Sequence, residues 1–322
     1  MNGETNSRNR TKEFFKNQDL TAWAPIITLI ILVVLVGALN PRFLSTPNLM
    51  NMLSQWAAPG IVAAGITFVA LTGGFDLSVA AAFSFTAVVA VIFGQHVDPG
   101  LAFAAAIAAG ILFGTFNGFL IAFLKLNPYI ATVGSGFMLN GLALLVTENA
   151  AISVEHPDYG WLGVARVYGV PISGILLIIT IVVLEFVLKR TPYGQSIYAV
   201  GGNPEASWLS GISTRLVTGS AYVIFGACVG VGGCITSSQL QAAQAGLDPG
   251  MIFDVLTIIV VGGTSLSGGT GAVWRTAVGL AIIATMSNGF IMLGISPYYQ
   301  DLIKGAIIIL ALTMSAVAAR KG

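Results

Sequence analysis

A chain of 322 residues that is 56% hydrophobic and only 8% charged stands far from the roughly 25% charged residues of a soluble domain, which excludes a water-soluble fold. Its 14 basic and 13 acidic residues leave a net charge of +1, so no electrostatic footprint for nucleic acid is present. The two cysteines, Cys228 and Cys234, share one apolar run at a spacing unsuited to a redox pair or a metal site, and they read as small buried residues.

Residues 1–20 are polar, carry Arg8, Arg10, Lys12 and Lys16, and read as a cytoplasmic tail. The run from Ala22 to Leu39 lacks a small-x-small cleavage site and is long for a signal sequence, so it is expected to be the first membrane helix. The rest, 21–322, reads as one transmembrane domain. Crossing the hydrocarbon core takes about 20 apolar residues. Runs of that kind occur at 22–39, 56–72, 77–95, 101–124, 129–147, 171–188, 216–238, 253–266, 272–293 and 302–319, with the second and eighth short. The fold class is therefore an all-α integral membrane protein of about ten transmembrane helices. Ser45 to Gln55 reads as a helix lying at the membrane surface.

Charge placement orients these spans, because cytoplasmic loops are enriched in Lys and Arg. With both termini cytoplasmic, Lys125, Lys189, Arg190, Arg215, Arg275, Arg320 and Lys321 join the basic tail inside, and only Arg42, Arg166 and Lys304 fall outside. The outer loops collect Asp98, Glu148, Glu155, Asp158, Asp248, Asp254 and Asp301. The longest of them, Glu148 to Pro171, reads as a surface loop, either a contact for an external partner or a passive connection.

Gly110, Gly114 and Gly118 recur every four residues and give the fourth span a smooth face for an internal helix contact, rather than a dimer seam. Glu185 and Lys189, four residues apart, are expected to pair locally at the cytoplasmic end of the sixth.

Between two long apolar runs lies a polar, glycine-punctuated segment, GQSIYAVGGNPEASWLSGI at 194–212, within a cytoplasmic loop 189–215. Asn203 suits the N-cap of a short helix, Pro204 its first position, Glu205 the positive end of its dipole and Gly211 the left-handed position after it. A defined helix there suggests a docking surface, although an ordinary ordered loop would read the same way.

Chemistry is sparse. No stretch matches GxxxxGK[ST], and GGTSLSGGTG at 262–271 lacks the lysine of a phosphate cradle. HExxH and GxSxG are missing, and His96 and His156 stand alone, so no catalytic residue, metal or cofactor is assigned. Asp76 and Asp254 fall at expected helix ends, leaving Glu185 as the one carboxylate inside a span. A proton relay normally places such groups deep in the membrane. The energy source is therefore expected on another polypeptide.

Four blocks carry a family resemblance: GGFDLSV at 73–79, NPYIATVGSGFMLNG at 127–141, AVGGNPEASWLSGI at 199–212, and VVGGTSLSGGTGAVWRTAVG at 260–279 continuing into SNGFIMLGISPYYQDLIKGAIIIL at 287–310. Together they resemble the permease subunits of ribose-type (monosaccharide) ABC importers. The resemblance implies a bacterial plasma (inner) membrane protein, a second permease copy or paralogue, a cytoplasmic tandem-domain ATPase and an extracytoplasmic sugar-binding protein. It also implies that the third block is a coupling helix on the ATPase, with Glu205, Ala206 and Gly211 matching the family's Glu-Ala…Gly pattern. Gly201, Gly202, Asn203 and Trp208 complete that coupling set. Trp208 replaces a small or basic residue, Phe75 and Ala80 replace isoleucine and glycine, Asn140 replaces arginine and Arg275 replaces glycine.

A sugar path needs polar and aromatic side chains rather than charge. Asn117, Asn140, Asn288, Tyr298 and Gln300, with Phe75 for stacking, are the candidates, each of which could equally bond between helices. Asp76 is expected to N-cap the third span. GGFDLS at 73–78 and GGTSLS at 262–267 form a possible paired glycine break. Other classes compatible with the residues are a self-contained secondary transporter or facilitator and a membrane scaffold.

Overall fold

The computed structural model describes residues 23–296 and, beyond them, positions 298, 299, 301–303, 305, 306, 309 and 313. Expectations resting on the tail, on Gln300 and on most of 302–319 lie outside the described residues. Helix α1 covers Trp23–Leu39. A 3-10 turn at Pro41–Leu44 follows, then α2 (Thr46–Gln55), α3 (Ala57–Leu71), α4 (Val79–Gly94), α5 (Pro99–Gly118) with a π-helical turn at Phe119–Phe123, and α6 (Pro128–Thr147). Next come β1 (Ile152–Ser153), α7 (Trp161–Val164), β2 (Arg166–Val167), β3 (Val170–Pro171), α8 (Ile172–Arg190), α9 (Pro192–Gly202) and α10 (Pro204–Leu209). The last elements are α11 (Thr214–Leu240), β4 (Ala242–Ala243), α12 (Met251–Val261) and α13 (Val273–Met292).

Sequence dictates which helices sit in the middle. The residues of α3, AAPGIVAAGITFVAL, have no polar stripe, and all but Pro59 are buried. A helix apolar on every side has nowhere to go but the centre. Beside it runs α11, whose glycines admit several neighbours at once. Gly226 and Gly230 meet α5, Gly232 meets Val62 of α3, and Gly233 meets Thr86 of α4. Outer helices keep one apolar face uncovered, as at Ile178, Val182 and Phe186 of α8, which are 51%, 61% and 60% exposed. Hydrocarbon is the natural solvent for such a face.

Among the described residues five helices are long and apolar enough to cross a membrane, or up to six if α2 and α3, bent by 49°, count as one. Every expected span up to 272–293 contains a helix. One expectation needs correction and two gain detail. The eighth span is not one helix over 253–266, because α12 has only 11 residues. At 1.5 Å per residue it covers about half the hydrocarbon. β4 pairs with β1, and the chain then passes α4, where the Leu247 amide donates to the Ser84 hydroxyl at 3.0 Å, before α12 begins. Second, the expected helix forms at Thr46–Gln55 but does not stand alone. It runs into α3, buries Met52 and bonds Asn48 to Asn288 of α13. Third, the 148–171 segment lies at the surface as expected, with more than half of its residues exposed, but it is also anchored. Tyr159 is fully buried, its hydroxyl donates to Ser237 at 3.1 Å, and its carbonyl accepts from Ser238 at 2.7 Å.

The helices have two distinct ends. β1 and β4 mark one, along with the end of α4, where Gly94 lies against Tyr159. At the other, α9 packs against the ends of α3 and α8 and the start of α11, and α10 packs against α9 and α11.

Candidate functional site

Helix α10 forms where its capping residues stand. The Asn203 side chain accepts from the Ala206 amide at 2.9 Å, Pro204 fills the first turn, Glu205 lies beside the positive end, and Gly211 closes the helix at φ +83. The expected loop 189–215 is thus two helices joined at Asn203, since Thr191 caps α9 in the same way through the Gly194 amide. Ser207 turns inward, while Trp208 and Leu209 are 66% and 77% exposed. An exposed Trp-Leu pair on a well-capped helix is an unusual surface away from lipid, and aromatic anchors of this kind dominate protein interfaces.

What lies behind α10 is a junction of three chain segments. Leu71 ends α3, and its carbonyl accepts from the Gly269 amide at 2.9 Å. A β-carbon on Gly201 would collide with that same carbonyl, and one on Gly269 would press on Gly202 at 3.1 Å. Gly268, at φ +91, leaves room only 2.8 Å from the Gly201 oxygen and 2.9 Å from the Gly73 nitrogen. Backbone touches backbone here without side chains between, so α9 cannot shift without moving the end of α3 or the 262–271 loop.

Two further ties secure the junction. The Tyr198 hydroxyl donates to the Gly271 carbonyl at 2.8 Å. Burial, reinforced by the Glu185 carboxylate and opposed by Arg275, pushes this phenol up to about 12, so it keeps its proton at neutral pH. Glu185 accepts from the Trp274 amide at 3.1 Å, near the start of α13. Lys189 places its ammonium 5.4 Å from the centre of the Tyr198 ring. The expected Glu185–Lys189 pair is therefore replaced by separate partners, because α9 and α13 bring better-placed groups to each.

Sequence reasoning placed Gly201 and Gly202 in this site but missed Tyr198, Gly268, Gly269, Gly271 and Glu185. The paired glycines of GGTSLSGGTG were the available signal; nothing local says which backbone they approach.

The candidate path residues do not converge. Asn117 is fully buried and donates to the Asp76 carboxylate at 3.0 Å. Phe75 stacks on Tyr129 at 4.9 Å between ring centres. Asn288 exchanges hydrogen bonds with Asn48, and Tyr298 is 82% exposed. Asn140 lines a cavity, about 570 Å³ in volume, with Leu77, Phe137, Gly246, Pro249 and Ile252. Gly110, Gly114 and Gly118 face Gly226, Tyr222 and Gly219 of α11, inside the chain.

The glycine breaks after α3 and α12 do share a geometry. Gly73 and Gly263 both take positive φ, at +77 and +84, and their amides donate to Ala70 and Val260 at 2.9 Å. The next amides, Gly74 and Thr264, reach back to Val69 and Ile259. This equivalence is one residue out of step with the letter match of 73–78 to 262–267, so Gly73 corresponds to Gly263 rather than Gly262.

A family described as branched-chain amino acid transport system / permease component matches residues 48–312. The chain belongs to this permease family. It is 39% identical to the ribose import permease protein RbsC of Bacillus subtilis over 90% of this chain and 91% of that one. Against RbsC of Escherichia coli K12 the identity is 34% over 93% and 95%. The D-allose transport system permease protein AlsC of the same strain is 30% identical over 91% and 90%. No solved structure gives a significant match. The protein is thus a multi-pass ABC-transporter permease of the inner membrane, and the matched region includes α10, the glycine junction and the Asn140 cavity.

Proposed function

We propose that this permease is the membrane subunit of an ATP-driven importer that passes a monosaccharide or related polyol from an external binding protein to the cytoplasm. The observation that carries the reading is α10, a capped helix with exposed Trp208 and Leu209 whose base is keyed by bare backbone to the ends of α3 and the 262–271 loop. Such a part converts closure of a bound ATPase into movement of packed spans, because rigid contacts transmit displacement instead of absorbing it. On this reading Gly201, Gly202, Asn203, Glu205, Ala206, Trp208 and Gly211 seat a tandem-domain ATPase. The chain crosses the membrane ten times with both termini cytoplasmic, 1–20 is a cytoplasmic tail, and 21–322 is the permease domain.

A sugar is favoured over an amino acid on two grounds. The relatives above carry ribose and allose in their names, and the cavity at Asn140 presents an amide and no charged side chain among its lining residues. An amino acid's ammonium and carboxylate would go unpaired there, and burying unpaired charge is costly. A second permease copy would complete the path across the open side of α6, where Phe137 is 74% exposed.

The test is co-purification from native membranes with an ATPase assay of the complex. Glu205→Arg, or removal of residues 203–211, is expected to abolish ATPase association and leave membrane insertion intact. Solute uptake by the lone chain in proteoliposomes without ATP would replace this reading with that of a facilitator.

A further inference from the structure

Beside α10 opens a second cavity, about 490 Å³, whose walls include Lys125, Pro204, Trp208, Thr214, Arg215 and Thr218. Five parts of the chain build it: the end of α3 at Thr72, the turn after α5, α9 at Val200, the coupling helix and the first two turns of α11. Lys125 and Arg215 are both exposed, and among the described residues neither has a hydrogen-bond or ion-pair partner. No acidic side chain lines the cavity. Lys125 also holds a left-handed backbone at φ +57, uncommon for a residue with a side chain.

We propose that this cavity is an anion socket that receives a carboxylate side chain of the ATPase subunit as that subunit seats on α10. The inference rests on the coupling-helix reading and adds the chemistry of the contact. Two cations facing one recess repel each other, and an anion between them relieves that repulsion while gaining two charge-assisted hydrogen bonds. The threonine hydroxyls supply further donors, and Trp208, 66% exposed, would be covered by the body of the arriving subunit. A protein occupant is favoured over a lipid headgroup because Pro204 and Trp208 belong to the helix that stands out toward the partner. Whatever fills the recess touches that helix. Glu205 sits next to Pro204 without lining the cavity, so the surface is bipolar, with one acid and two bases. Complementary charges in such an arrangement fix register and partner choice more than raw affinity.

The experiment uses the full-length permease in detergent with the ATPase that co-purifies with it. Lys125→Glu/Arg215→Glu and the milder Lys125→Gln/Arg215→Gln are compared with the parent for apparent Kd across a salt series. The expected result is a Kd raised about tenfold or more at low salt, with a flatter salt dependence. Lysine scanning of acidic residues on the ATPase is expected to find a position that restores binding to the double-glutamate variant. Glu205→Arg serves as the internal control. If it abolishes association while both double variants bind normally, the socket is overturned and the coupling helix stands. If neither change affects association, the coupling-helix reading itself has failed. Normal ATPase binding combined with loss of co-purifying phosphatidylglycerol would assign the cations to a lipid and overturn the proposal.

Discussion

At the scale of single residues, Asp76 shows what a buried carboxylate does here. It is 1% exposed and lies between α3 and α4. One oxygen accepts from the Ser78 amide at 2.7 Å and from the Ser78 hydroxyl, and the other accepts from Asn117 at 3.0 Å. Tyr222 closes the group by donating to the Phe75 carbonyl at 3.0 Å. Asp76 thus holds the turn before α4 in shape and serves a position two residues before the cap it was expected to be. Asn117 keeps one oxygen without a partner. Asp76→Asn is therefore expected to fold well, since rotating the Asn117 amide lets that orphan oxygen accept from the new side chain. Asp76→Ala strands the Ser78 amide and Asn117 and is expected to cost about 2–4 kcal/mol, or several degrees in Tm. Thermal unfolding in detergent ranks the two, and an alanine variant as stable as the asparagine one would refute this account.

At the scale of elements, the α5–α11 pair rests on glycine. A β-carbon on Gly114 would collide with the Tyr222 carbonyl, and one on Gly110 with that of Gly226, both rigid backbone groups. Gly114→Val is expected to destabilise by about 3 kcal/mol or more, as overpacking does when neighbours cannot give way. Gly134 and Gly141 of α6 have nothing within 4 Å of a built β-carbon. Gly141→Ala is accordingly expected to be neutral or stabilising by up to about 1 kcal/mol, because alanine is the better helix former. Unfolding by denaturant in mixed micelles checks both. The four-residue spacing of the α5 glycines was legible in the chain because helical periodicity is local. Their partner was not, because the opposing face of α11 lies more than a hundred residues away.

For the whole molecule, the question is whether movement at α10 reaches the spans. Gly201→Val forces α9 off the Leu71 carbonyl, and because Gly201 also belongs to the proposed ATPase seat, both ATPase association and ATP-driven uptake of the variant are to be measured, with loss of uptake expected. Uptake at the parental rate would show that the glycine junction does not carry the coupling. Sidedness can be read in the same preparation. Cys228 and Cys234 are free and buried, a quiet background for single cysteines placed at Glu205 and Asp158. Position 205 is expected to label only from the cytoplasmic side and 158 only from outside; labelling of both from one side would undo the proposed topology.

The sequence by itself determined the membrane class, the apolar runs up to 272–293 that contain helices, and the capped helix at 203–211. Each depends on groups within a turn or two of one another: an apolar run long enough for lipid, or a side-chain oxygen reaching an amide three residues on. Only the tertiary structure decided that Leu71, Gly201 and Gly269 meet, that Glu185 serves Trp274 rather than Lys189, and that Asn117 bonds to the turn before α4 and Asn288 to α2 while Asn140 opens on a cavity. It also decided that the stretch expected at 253–266 is a helix of only 11 residues, Met251–Val261. Those outcomes depend on which faces pack across tens to hundreds of residues, and no local pattern encodes which distant backbone a glycine will let approach.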